Sequence, residues 1–289
     1  MHIHLLLAYI GTPNNYWEYY LDSALLNKDI LTLYIFSDID IPESYIQKYK
    51  NVKFIPVTFD EIKNRLYSFL KNNLKLDFHI NDFENIKIRK LCDIKVIYRY
   101  IFSDYITFSS DEDYVGWCDC DLIFGNISHF YKKYNFYNYD LLGNWGHFTV
   151  IKNKHIFWDE LLKQKETIYE IFKEPEHCGF DEYSKNNARK LWVKLYHEKK
   201  MKLFLFSWDQ IFSDVVRQDE SEDMYVWTEK NARVYFEYVV DDGLYKVYRD
   251  RNIKVPTIYS HFQKRKFSNI IIKKNYNKII FDNSKIEES

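Results

Sequence analysis

Hydrophobic and polar positions along this chain follow two periods in turn. Residues 2–10 form an apolar run closed by Gly11, which reads as a buried strand and the turn after it. Thr12 then stands as an N-cap with Pro13 at the first helical position, and Trp17, Tyr20, Leu21, Ala24 and Leu25 recur at helical spacing. Residues 31–36 and 52–57 read as two further strands, the first ending at Ser37-Asp38. Thr58-Phe59-Asp60-Glu61 has the form of a capping box and opens a helix reaching Lys71. A long helical segment over 84–105 precedes an apolar strand that starts at Tyr114. Strands alternating with helices predict an α/β, Rossmann-type, mostly parallel central sheet with helices on both faces.

Beyond residue 121 the pattern loosens. Residues 141–143 and 147–151 read as short strands flanking Asn144-Trp145-Gly146, and 153–172 as a helix. His177-Cys178-Gly179-Phe180-Asp181-Glu182 reads as the opening of another helix, while 234–240 and 257–262 look like strands in a mixed C-terminal portion. No internal repeat is apparent. The stretch from Lys264-Arg265-Lys266 through Lys273-Lys274 to Lys278 is locally basic. It reads either as a solvated face or as a contact with a membrane surface or an anionic ligand.

Composition narrows the picture. A chain of 289 residues can bury a substantial core, and with only 7 Gly and 5 Pro it reads as a regular globule, not a linker-rich chain. A net charge of −1 argues against general nucleic-acid binding, which needs a basic field. The N-terminal apolar run is too short to span a bilayer and lacks the charged start of a signal peptide. Four cysteines do not suggest a disulfide framework, so a cytoplasmic setting is expected. Cys118-x-Cys120 is not the usual spacing of a zinc site either.

The candidate chemistry centres on Tyr114-Val115-Gly116-Trp117-Cys118-Asp119-Cys120-Asp121-Leu122-Ile123-Phe124-Gly125. Two carboxylates arrive one residue apart at a strand end, between two apolar runs. Hard divalent cations take oxygen ligands and commonly share one or two carboxylates with substrate phosphates. The Asp-x-Asp pattern is unspecific by itself: with 24 Asp in the chain, chance gives about two. Of the three present, Asp38/Asp40, Asp111/Asp113 and Asp119/Asp121, only the last is bracketed by apolar residues on both sides. Ligands of parallel sheets sit beyond the carboxyl ends of the strands, so Gly11, Asp38, Asp119 and Asp121 are expected to gather along one edge.

At Trp117–Gly125 the sequence resembles the Asp-x-Asp core of nucleotide-sugar-dependent glycosyltransferases with the GT-A fold. More narrowly, the chain is similar to a bacterial family of capsule and lipopolysaccharide glycosyltransferases. That likeness rests also on Lys90-Leu91-Cys92-Asp93-Ile94-Lys95, Gly146-His147-Phe148-Thr149, Phe180-Asp181-Glu182 and His261-Phe262-Gln263-Lys264-Arg265, in that order. It departs at Val96 and Arg99, where Pro and Gly are expected. The resemblance implies one GT-A-like domain over 1–289. Residues 1–125 would form the nucleotide-sugar-binding half, 126–262 the acceptor-binding half and 263–289 a basic tail. It implies transfer of a sugar from a nucleotide-diphosphate sugar to a glycan or lipid-linked acceptor in surface polysaccharide synthesis. Peripheral contact of the basic tail with the inner face of the membrane is part of the same expectation.

The resemblance also implies roles. Asp121 would bind Mn²⁺ or Mg²⁺ directly, Asp119 the metal or donor hydroxyls, and His261 would complete the metal shell. Lys264 and Arg265 would meet the diphosphate. Tyr9, Gly11 and Asp38 are expected to form the base and ribose pocket, and Lys90, Asp93 and Lys95 to face the donor. Asp181 and Glu182 have two readings, as the base that deprotonates the acceptor or as a helix cap favoured by the dipole. His261 likewise has a structural reading at a strand end. Trp117 and Trp145 read as core before acceptor platforms. Two other classes remain open. One is a haloacid-dehalogenase-type phosphatase with Asp119 as nucleophile and Asp241-Asp242 as its later acidic pair. The other is a non-catalytic carbohydrate-binding protein.

Overall fold

The computed structural model describes residues 1–182, 188–206, 212–214, 234–262, 267, 269–271, 276–282 and 285–289, with the side chains of Asn144, Trp145, Phe212, Ser213, Asp214 and Asn269 outside the description. It is an α/β structure with mixed sheets. In chain order the strands are β1 (Ile3–Tyr9), β2 (Leu31–Ser37), β3 (Val52–Pro56), β4 (Tyr114–Cys118), β5 (Leu122–Phe124), β6 (Leu141–Trp145), β7 (Phe148–Lys152) and β8 (Leu203–Leu205). There follow β9 (Phe212–Asp214), β10 (Val234–Val239), β11 (Gly243–Tyr248), β12 (Ile253–Thr257), β13 (Tyr259–His261), β14 (Asn269–Ile271), β15 (Lys278–Asp282) and β16 (Lys285–Glu288).

A seven-stranded sheet runs in the order β3-β2-β1-β4-β7-β6-β8. β3, β2, β1 and β4 are mutually parallel, β7 is antiparallel to both of its neighbours, and β8 pairs parallel with β6. Strand alternation splits the side chains between two cores. Ile3, Leu5 and Leu7 of β1, Leu31, Leu33 and Ile35 of β2, and Tyr114 and Cys118 of β4 enter one core. Leu6 and Ala8, Tyr34 and Phe36, and Val115 and Trp117 enter the other. Both faces are therefore apolar, which is why these strands read as continuous hydrophobic runs.

The second core is roofed by helices that include Phe59–Ser68, Phe157–Leu162, Lys165–Lys173 and Ala188–His197. The first core is not covered by helices alone. Trp17–Leu25 and Ile127–Tyr134 share it with Val234, Phe236, Tyr238, Ile279, Phe281 and Ile286 of a second sheet, ordered β12-β11-β10-β15-β16-β14. The stretch read as a basic tail thus supplies β14, β15 and β16, with Ile279, Phe281 and Ile286 buried. No helix among the described residues is long and apolar enough to cross a membrane.

The expected Thr58/Glu61 capping box is present: the Thr58 hydroxyl accepts from the Glu61 N–H and the Glu61 carboxylate from the Thr58 N–H. Thr12 and Pro13 do not start a helix. The first helix begins at Trp17, because Asn14 and Asn15 are spent reaching the carbonyls of Cys120 and Phe267. The expected helix over 84–105 is a series of short turns, Ile88–Lys90, Leu91–Ile94, Lys95–Ile97, Tyr98–Ile101 and Ser103–Tyr105. Lys90, Asp93, Ile94, Lys95, Val96 and Ile97 are all buried, so this segment sends side chains inward in several directions and no single α-helical face suffices. The helix expected over 153–172 is two, and residues 177–182 are turn and irregular backbone, with the next described helix starting at Ala188.

Candidate metal and acceptor site

Three distant segments meet at the carboxyl end of the parallel strands. Tyr9 ends β1, Ser37 ends β2 in register with it, and Asp119 follows β4 on the other side of β1. Gly11, at φ +106, takes a conformation that side chains rarely adopt, and its N–H donates to Asp38 Oδ1 at 2.8 Å. Both residues are exposed. The Tyr9 hydroxyl donates to the Thr12 carbonyl, and burial together with the nearby Cys120, Asp121 and Asp38 pushes its pKa up to about 12.

Strand pairing brings His261 to Asp121 across 140 residues of sequence. β5 pairs with β13 so that Leu122 faces His261, and the Phe262 N–H donates to the Asp121 carbonyl at 2.9 Å. His261 Nε2 then lies 3.4 Å from Asp121 Oδ1. One ligand atom each from Asp119, Asp121 and His261 all fall within 4.8 Å of one another. Asp121 is buried, while Asp119 is half-buried, with 33% of its side chain exposed.

The β6–β7 hairpin closes the site from a second direction. The Asp119 N–H donates to the His147 carbonyl, continuing the β4–β7 ladder past Cys118. The His147 ring stacks on His261 with centroids 4.3 Å apart. Burial, with His261 and Lys95 nearby, drives the His147 pKa well below the usual imidazole value, so it is neutral. Beside it, Gly146 donates its N–H to Glu182 Oε1 at 2.6 Å. A Cβ at Gly146 would sit 2.4 Å from the Glu182 carboxyl carbon and 2.5 Å from Asp181 Oδ2, so only glycine permits this approach.

Lys95 ties the two loops together. Its buried ammonium lies 3.0 Å from Asp119 Oδ1 and 2.9 Å from Asp181 Oδ2. Burial alone would lower its pKa, but the two carboxylates outweigh this and hold it well above the lysine range. Burial tends to raise Asp181, and Lys95 overrides it, so its carboxyl stays below the usual range. For Asp119 burial wins over Lys95, with repulsion from Asp121 added, and its pKa is raised.

Lys90 and Asp93, expected to face the donor, are instead fully buried. Asp93 accepts N–H bonds from Cys178 at 2.8 Å and Phe180 at 2.6 Å, and Lys90 Nζ lies 3.0 Å away. They anchor the loop that carries Asp181 and leave no surface for a donor to touch. His177 joins Asp93 and Asp181 in a second three-residue group within 4.8 Å. The ammonium groups of Lys90 and Lys95 sit on its two carboxylates, and Lys95 is shared with Asp119 of the first group.

The carboxylates of Asp181 and Glu182 meet Lys95 and Gly146 in a turn, and the residues that follow, 183–187, on which the helix-cap reading rests, lie outside the described residues. Trp117 is core, as expected. Lys264 and Arg265 lie outside the described residues. Asp241 and Asp242 sit on the β10–β11 turn, where Asp242 accepts from the Tyr245 hydroxyl, and neither joins Asp119 among the described residues. Sequence reasoning missed His147 and Gly146 as site residues. The Gly146-His147-Phe148-Thr149 stretch was their only signal, and without the hairpin it pointed nowhere.

The fold and site together define an α/β protein with a carboxylate–imidazole cluster at the carboxyl edge of its parallel strands. The chain belongs to a family of unknown function (DUF6625), which it matches over residues 5–289. No curated protein matches the sequence.

Proposed function

We propose that this protein is a metal-dependent glycosyltransferase of the GT-A kind, moving a sugar from a nucleotide-diphosphate sugar to a glycan or glycolipid acceptor in surface polysaccharide synthesis. The observation that carries this reading is the Asp119–Asp121–His261 group, whose ligand atoms lie within 4.8 Å of one another. The sheet order, with the site where β1 separates β2 from β4, supports it, because ligands of such sheets bind where strand order reverses.

Two carboxylates and an imidazole suit one divalent ion, and the nitrogen donor favours Mn²⁺ over Mg²⁺. Asp119, Asp121 and His261 would hold it; bound there, it supplies Lewis-acid stabilisation of the departing diphosphate. His147, neutral and stacked on His261, orients that imidazole, as partners behind metal ligands commonly do. The exposed part of Asp119 meets donor hydroxyls, and Gly11 and Asp38 line the nucleoside side.

Glu182 is a better candidate than Asp181 for taking the acceptor hydroxyl proton. Asp181 is spent on Lys95, which keeps it ionised and weakly basic, and Glu182 beside it accepts the Gly146 N–H next to the metal group. The test is a thermal-shift screen of UDP-, GDP- and CMP-sugars with and without Mn²⁺, since a ligand of the native state raises apparent stability. A Mn²⁺-dependent shift with one nucleotide class supports the reading. No shift with any of them, alongside phosphate release from p-nitrophenyl phosphate that Asp119→Asn abolishes, would favour the phosphatase instead.

A further inference from the structure

A second cleft, separate from the carboxylate–imidazole cluster, has the chemistry of a saccharide site. It is an open, shallow depression of about 500 Å³ between the helix Phe59–Ser68, the turn that continues it and the segment Tyr98–Ile101. Three asparagines, Asn64, Asn72 and Asn73, line it, and none of their amides is used by another group among the described residues. Ser68 and Ser103 add hydroxyls.

The backbone places them deliberately. After Ser68 the helix widens into a π-helical turn, Phe69–Asn73, closed by the Leu74 N–H donating to the Phe69 carbonyl. Residues 64, 68 and 72 share one face of a regular helix. The wider turn adds Asn73 to the same lining, so two neighbouring amides face one cleft. π-turns are rare and concentrate at functional positions. Phe69, which is buried in the core, stacks on the half-buried ring of Tyr100 with centroids 5.3 Å apart, and Tyr100 supplies the apolar part of the lining. Asp104 forms the rim, its carboxylate fixed by a two-pronged contact from Arg65 at 2.9 and 3.0 Å.

We propose that this cleft binds a neutral oligosaccharide. Amides that both donate and accept match the vicinal hydroxyls of a sugar, the oriented Asp104 accepts from another, and the partly exposed Tyr100 ring meets the sugar's apolar side. The near-balance of Arg65 and Asp104 leaves no net charge to select a phosphate or an acidic glycan. The binding rests on these residues alone; that the bound glycan is the acceptor's distal part rests on the transferase reading.

The test is ¹⁵N-resolved NMR titration of the whole chain with cellotetraose, lacto-N-tetraose and, as the charged comparison, tri-galacturonic acid. It is run without donor and without metal, so that failure here is separable from failure at the Asp-x-Asp site. A saturable shift confined to the amides of Asn64, Asn72, Asn73 and their neighbours is expected with a neutral sugar. Asn72→Ala/Asn73→Ala should weaken it about tenfold or more while leaving thermal stability near wild type, since both residues are exposed. No saturable shift, preference for the acidic sugar, or equal binding by the double variant would overturn the proposal. A nucleotide-sugar response that persists while glycan binding fails would remove this inference alone.

Discussion

Asp93→Asn should unhook the loop that carries Asp181 and Glu182. The Asp93 carboxylate is fully buried, accepts the N–H groups of Cys178 and Phe180 at 2.8 and 2.6 Å, and faces Lys90 Nζ at 3.0 Å. Lys90 is equally buried and also donates to the carbonyls of Ile171 and Glu176 at 2.7 and 2.8 Å. Asparagine keeps the volume, but it removes the charge and turns an NH₂ toward one of the two N–H donors. Removing one partner of such a pair costs about 3–5 kcal/mol, since the other charge stays buried. Domains are stable by roughly 5–15 kcal/mol, so this is a large share. Lys90→Met should cost a similar amount, because the carboxylate and two carbonyls lose their donor. The double variant should cost less than the sum of the two, by about 1 kcal/mol or more. Urea unfolding followed by tryptophan fluorescence gives all three values, and hydrogen exchange should show residues 178–182 loosening first. Either single variant within about 0.5 kcal/mol of wild type, or strict additivity, would refute the reasoning.

Gly146→Ala forces a methyl to within 2.5 Å of both loop carboxylates, so Glu182 must leave its position. Transfer should fall by about 10² or more while donor binding stays near wild type, and an unchanged rate would mean that neither carboxylate acts. Asp121→Ala should abolish Mn²⁺-dependent donor binding with the fold intact by circular dichroism, and His261→Ala should raise the Mn²⁺ concentration needed for half-maximal binding. His4, buried beside His2 and only partly offset by Asp113, has its pKa depressed from 6.5 to about 4. The unfolded chain therefore binds a proton that the native state refuses between those values, and stability is lost as pH falls from 6.5 toward 4. The shift corresponds to about 3 kcal/mol. Urea titrations at stepped pH should show this slope flattened in His4→Gln, and an unchanged slope would count against it.

What was legible in the sequence follows the range of the forces involved. β1 to β4 are buried on both faces, so their apolar runs announce them, and Thr58/Glu61 is a local device that needs no partner. The Asp-x-Asp turn was readable because Leu122, Ile123 and Phe124 are core. The broken segment 84–105 was not, since residues buried all round carry no helical stripe. The second sheet was also hidden, because its short strands make sense only once β10 finds β15 some forty residues on. His147 and Gly146 became site residues through the β6–β7 hairpin, and Lys90 and Asp93 left the site through contacts with residues 171–180. Those pairings are non-local, and spacing along the chain does not encode them.

Mn²⁺ broadening of the ³¹P resonances of a bound nucleotide-diphosphate sugar tests the central claim most directly, because it reports a cation held against the diphosphate by Asp119, Asp121 and His261. With the nucleotide-sugar that shifts the melting temperature, substoichiometric Mn²⁺ should broaden both phosphorus lines strongly in wild type. In Asp121→Ala the broadening should fall to that of nucleotide and Mn²⁺ free in solution. Equal protein-dependent broadening in the two proteins would place the diphosphate and its cation elsewhere and contradict the account.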